Sequence, residues 1–174
     1  PDITPDGRFI VFTSWASDMV PGDTNDGHDV FVRDTCRGAA AGCTPSNRRV
    51  SVGSGGAQVN QNSGGPATGG ASISGDGRFV AFGSRATNLV GGDSIGQFEI
   101  FLYDTCEGAS GCLPSTKRLS AALDGTQSAD DERSDAPVIS TDGRFVAFTS
   151  DSAVFLPGDT NDRIDVFLAR TGAP

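Results

Sequence analysis

The sequence predicts an all-β chain made of β-propeller blades, three four-stranded antiparallel units with the last one incomplete, and three observations lead there. One segment recurs three times in register: Ile3 to Cys36, Ile73 to Cys106 and Ile139 to Gly172 align without a gap, at offsets of 70 and 66 residues. A repeat of that length is too long for a helical hairpin and suits a small sheet. Within each copy, runs such as Phe9-Ile10-Val11-Phe12 place apolar side chains on both faces of a strand, which then needs cover on either side. Finally, Gly supplies 24 of 174 residues, hydrophobic residues only 36%, and Lys and Glu are few, which argues against a mostly helical fold.

Each element follows in order. The first strand is expected at Asp2 to Thr4, Ala71 to Ser74 and Pro137 to Ser140, closed by a turn at Asp6-Gly7, Asp76-Gly77 or Asp142-Gly143, where Gly supplies the positive φ of a tight hairpin. The second spans Arg8 to Ser14, Arg78 to Ser84 and Arg144 to Ser150. The third spans Asp29 to Asp34, Glu99 to Asp104 and Asp165 to Arg170. The fourth, expected at Arg48 to Val52 and Lys117 to Ala121, alternates and carries charge, as an edge strand should. Small sheets with inner strands apolar on both faces must stack face to face, and a ring of such sheets is a propeller. The blades are expected at 1–70, 71–136 and 137–174, the third without its outer strand. A sandwich or solenoid of hairpins is the competing architecture.

The I-S-x-D-G-R-F-V-A-F-x-S segment, the G-D-T-N loop, the D-V-F-V-R-D strand and the R-V-S-V strand resemble the TolB-like, WD-like propeller repeats of secreted and periplasmic bacterial proteins. The resemblance covers nearly the whole chain. It implies a propeller that serves as a docking platform, a cell-surface module or the non-catalytic domain of a larger hydrolase.

Three units cannot close a ring alone, so the chain is expected to be part of a longer propeller or to assemble as a homo-oligomer. A self-assembling fibre completed by strand exchange is the alternative. The chain starts at Pro1, without an initiator Met or signal peptide, as expected of a processed or partial form.

The net charge of −9 repels phosphate backbones, which argues against a nucleic-acid partner. No apolar run approaches the roughly 20 residues of a membrane-spanning helix. A protein or glycan ligand remains compatible with this composition.

Cys36 and Cys43, and Cys106 and Cys112, flank short loops at the same place in two repeats. The spacing is wrong for tetrahedral zinc, and local disulfides are expected, the competing state being reduced thiols. Disulfides imply an extracellular or periplasmic location.

In the loop between the second and third strands, Asp23, Asn25 and Asp29 imitate alternate positions of a calcium loop, as do Asp159, Asn161 and Asp165. These six are the candidate calcium ligands. The set lacks a closing Glu, and the second repeat degrades it to Asp93, Ile95 and Glu99, so side-chain capping of a turn competes with metal binding. Asp130, Asp131, Glu132 and Asp135 near Arg133 read as a solvated acidic loop.

No catalytic residue is expected. His28, the only His, is replaced by Phe98 and Ile164 in the other repeats, and no G-x-S-x-G elbow surrounds a Ser. The Gly-rich stretches lack a phosphate-binding Lys. Trp15 is a lone aromatic suited to an interface or to stacking on a sugar, or simply to partial burial. The function read from the sequence is a non-enzymatic secreted propeller segment for assembly or macromolecule binding.

Overall fold

The computed structural model describes residues 1–65, 70–93, 96–122, 124–129, 132–156, 158–159 and 163–173. Its strands form three antiparallel sheets, and the only helical element among the described residues is a single 3-10 turn at Ser54–Gly56. The first sheet runs β1 (Asp2–Ile3), β2 (Phe9–Ser14), β3 (Asp29–Asp34), β4 (Ser46–Arg49). The second runs β5 (Ala71–Ile73), β6 (Phe79–Ser84), β7 (Glu99–Asp104), β8 (Ser115–Arg118). The third holds β9 (Ser134–Ile139), β10 (Phe145–Ser150) and β11 (Asp165–Arg170), with β10 in the centre. This is an all-β chain of propeller blades, the third sheet having three strands.

The turns between the first two strands of each blade form as their composition dictates. Asp76 Oδ1 accepts from the Ser74 hydroxyl and the Arg78 backbone N–H, and the Ser74 Oγ accepts from the Phe79 N–H. Thr4 with Asp6 and Ser140 with Asp142 repeat the arrangement. In this setting Ser140 and Arg144 hold the Asp142 carboxyl down at about 2.

Strand alternation then sets the stacking. Phe12 lies opposite Phe31 and Val11 opposite Val32, so the two residue sets face opposite ways. Phe9, Val11, Val30 and Val32 of the first blade pack against Val80, Phe82, Phe101 and Tyr103 of the second. The other face of the second blade, Phe79, Ala81, Ile100 and Leu102, packs against Val146, Phe148 and Phe167 of the third. Every residue of β6 is buried, as the two-faced apolar pattern requires.

Between blades the same devices recur. The Phe9 ring lies on Gly77, which has φ +76° and no space for a Cβ, and the Phe79 ring lies on Gly143, where a Cβ would stand 2.8 Å from it. Arg48 donates to the Thr105 carbonyl, and Lys117 to the Thr171 carbonyl.

Most strands keep their expected bounds to within a residue; β4, β8 and β9 depart further. β4 and β8 start and end earlier than Arg48 to Val52 and Lys117 to Ala121. Past Arg49 the ladder breaks because the Ser51 hydroxyl, not a backbone carbonyl, accepts from the Val30 N–H; Ser120 does the same for Ile100. β9 starts at Ser134 rather than Pro137, because a bulge opposite Phe148 absorbs Ala136 and the donorless Pro137 and lets pairing resume at Asp135.

Candidate functional site

The strand 2–3 loop closes onto the fourth strand of its own blade. In the first blade Arg49 Nη1 lies 3.1 Å from Asp23 Oδ1 and 3.4 Å from Asp29 Oδ2. Asp29 is fully buried; its Oδ1 accepts from the Ser51 hydroxyl at 2.5 Å and its Oδ2 from Asn25 Nδ2 at 3.1 Å. Gln58 Nε2 donates to Asp23, and Asn25 also donates to the Val59 carbonyl. Asp23, Asn25 and Asp29 are thus brought together, as the loop spacing suggests. The cation facing both carboxylates is the Arg49 guanidinium. Burial raises the Asp29 pKa, and its bonds to Ser51 and Asn25 and the charge of Arg49 act against that rise.

The second blade builds the same node from different atoms. Arg118 Nη1 stands 3.4 Å from Glu99 Oε1 and 3.8 Å from Asp93 Oδ1, and Gln127 reaches Asp93. Burial, followed by the nearby charge of Asp93, pushes the Glu99 pKa up to about 8 despite Arg118. Ile95 and Asn161, and the acidic residues Asp130 and Asp131, lie outside the described residues. Asp159 and Asp165 flank the corresponding loop of the third blade, Asp165 opening β11. Beside the acidic loop, Arg133 pairs with Asp135 at 3.1 Å, and Glu132 accepts from the Ala129 N–H.

Arg49, Ser51 and Gln58 were not singled out by sequence reasoning. Their signal was present as recurrence, Arg118, Ser120 and Gln127 standing at matching places after the second blade's third strand.

Cys36–Cys43 and Cys106–Cys112 are disulfides, with Cα atoms 5.8 and 5.6 Å apart. Each lies beside an aspartate, Asp34 or Asp104, but sulfurs bonded to each other are not thiolate metal ligands. Those aspartates bind Arg8 and Arg78 through both carboxylate oxygens and accept from the Cys36 and Cys106 N–H groups. The guanidinium bond outranks the remaining attractions in holding the Asp34 and Asp104 pKa values down against burial.

Trp15 and His28 stack at 4.6 Å, and the exposed Trp15 indole donates to the Asp26 carbonyl. In the second blade Arg85 lies over Phe98 and donates to the Gly96 carbonyl. The His28 position is therefore one half of a recurring loop clasp.

Two surfaces distinguish the third blade. Its outward face exposes Val166 (76%), Leu168 (68%) and Val138 (62%). Beside it, a groove of about 730 Å³ lies between β11, from Val166 to Arg170, and Lys117 to Ala122 of the second blade, floored by Phe148 and Phe155. No described helix is long and apolar enough to cross a membrane.

These sheets and their face-to-face stacking define a segment of a β-propeller. Among solved structures, the chain is similar to TolB from Acinetobacter baumannii, with 18% identity and a TM-score of 0.46, over 98% of this chain and 31% of that one. It is also similar to a structure assigned as TolB from Agrobacterium tumefaciens, with 16% identity and a TM-score of 0.47, over 98% of this chain and 44% of that one. The chain spans less than half the length of either structure. No protein-family model and no curated protein matches the chain.

Proposed function

We propose that the chain is a non-enzymatic propeller segment of an oxidising compartment, extracellular or periplasmic, that works by binding protein through its outward blade faces, the partner being a second copy of itself. The observation that carries this reading is the exposed face of the third blade. Phe145, Ala147, Val166 and Leu168 occupy the positions of Phe79, Ala81, Ile100 and Leu102, which are buried against the next blade. The matching acceptor is the outer face of the first blade, where Ile3 is 55% exposed and Ile10 and Phe12 are half-buried. In this pairing Phe145 would take the place over Gly7 that the Arg37 side chain occupies, as Phe9 lies on Gly77 and Phe79 on Gly143. Burying each exposed aliphatic side chain contributes roughly 1.5–3 kcal/mol. The two disulfides support the compartment.

Calcium has no part in this reading, since Asp23 and Asp29 face an arginine. Light scattering on the purified chain tests the proposal. The expected mass is a multiple of the 17.8 kDa chain, with Leu168→Asp reduced to a single chain. A wild-type chain that stays single at high concentration would refute it.

A further inference from the structure

The three repeats act as controls for one another where the second strand ends and the third begins. In the second blade Arg85 Nε donates to the Gly96 carbonyl at 2.8 Å, and its guanidinium lies over the Phe98 ring. In the third blade Asp151 holds the Arg85 position and accepts from the Arg133 N–H at 2.7 Å, while Ile164 holds the Phe98 position. Neither blade needs an indole or an imidazole here in order to fold. The first blade carries both. Trp15 Nε1 donates to the Asp26 carbonyl at 3.2 Å, and the indole stacks on His28 with planes only 13° apart.

This clasp uses the indole N–H and one ring face, yet Trp15 is still 66% exposed, so the other face is turned to solvent. The groups around it are fixed and polar. Exposed Asp26 sits at φ +50°, a left-handed conformation that Asp tolerates better than most residues. Asn62 Oδ1 accepts from the His28 N–H at 2.8 Å, and the Asn62 carbonyl accepts from the Arg85 N–H. Asn62 is thereby held in place while its Nδ2 has no acceptor among the described residues, and the Asp26 carboxylate has no donor among them.

We infer that Trp15, Asp26 and Asn62 form a binding site for a neutral saccharide, one pyranose ring stacking on the open face of the indole. Three features point that way. The π face of an indole is electron-rich and attracts the C–H bonds that line the flat side of a pyranose. A free carboxylate acceptor and a free amide donor stand at its rim, and sugar hydroxyls satisfy both. The exposed residues that follow Trp15 include Ser17 and Asp18, unlike the water-excluding surround of a protein-binding hot spot, and Asp18, Asp26 and the net charge of −9 repel anionic ligands. His28 supports the stack from beneath. The site uses none of the outward-face residues, so the inference stands or falls independently of self-association.

Trp15 is the only tryptophan, so its emission reports on the site directly. Titrating the intact chain with cellohexaose, chitohexaose and maltohexaose should give a saturable change with at least one of them, at a Kd of about 10 mM or tighter. Calorimetry with that sugar then reads the variants. Asp26→Asn keeps a residue suited to the left-handed φ and removes the charge, and should weaken binding by about tenfold. Asn62→Asp keeps the acceptor for the His28 N–H and removes the Nδ2 donor, and should weaken it by about threefold or more. Trp15→Arg combined with His28→Phe copies the clasp of the second blade, so this chain should fold and should not bind. Hexagalacturonate and decaproline should leave the emission unchanged. No response to any of the three neutral sugars, or equal binding by the Trp15→Arg/His28→Phe chain, would overturn the inference. So would a response confined to hexagalacturonate or to decaproline, the latter marking Trp15 as an anchor for protein instead.

Discussion

The second and third blades share the D-G-R-F-V-A-F motif, yet all six residues of β6 are buried while β10 alternates between buried and half-buried. β7 and β11 differ further. Leu102 is 2% exposed and Leu168, at the same position, is 68% exposed. The motif therefore specifies a sheet that can be covered on both faces, and the neighbours decide whether it is. At the third blade the same two-sided pattern leaves Val138, Val166 and Leu168 exposed on one face.

The sharpest way to break that comparison is the matched pair of leucines. Leu102→Ala should cost about 2–5 kcal/mol, as buried leucines do, whereas Leu168→Ala in the isolated chain should change unfolding free energy by less than about 0.5 kcal/mol. Equal losses in urea titration would show that the third blade is covered within one chain. Next comes the staple that the second blade has and the third lacks. Replacing Cys106 and Cys112 by Ser should lower stability by roughly 2–3 kcal/mol in the chain-entropy model, read by the same titration.

A smaller effect sharpens the contrast between nodes. The Glu99 carboxyl titrates at about 8 in the folded chain, far above its ordinary value near 4.5. The folded state therefore binds a proton that the unfolded state has released. This contribution is fully present below the ordinary carboxylate pKa and is lost as pH rises towards 8. Melting temperature should fall over that window, and Glu99→Gln should flatten the slope; an unchanged slope would show that Glu99 is ionised beside Arg118. The smallest expected effect is none. A chelator should leave the melting temperature unchanged, because Asp23 and Asp29 already face a cation, and a drop would restore calcium to the loop.

Much of this fold could be read from the residues. The third strands form residue for residue where the apolar runs place them, the Asp-Gly turns close as their side chains dictate, and both cysteine pairs bond. These features depend on neighbours within a few positions, where local chemistry decides. The acidic loop was harder. Oxygen ligands at alternate positions look alike whether they hold an ion or an arginine, and the arginine arrives from a strand about twenty residues away. Only the recurrence of Arg49 and Arg118 carried that information. The ends of β4 and β8 were missed because a serine side chain takes over a backbone role there, which a hydropathy pattern does not register.

Hydrogen exchange measured at low and high protein concentration tests most directly whether the end faces are interfaces of the same kind as those within the chain. Head-to-tail stacking predicts that protection rises with concentration in β9 to β11 and in β1 to β3 together, while β5 to β8 stay as they are. Protection that does not depend on concentration, or that rises in the third blade alone, would contradict it.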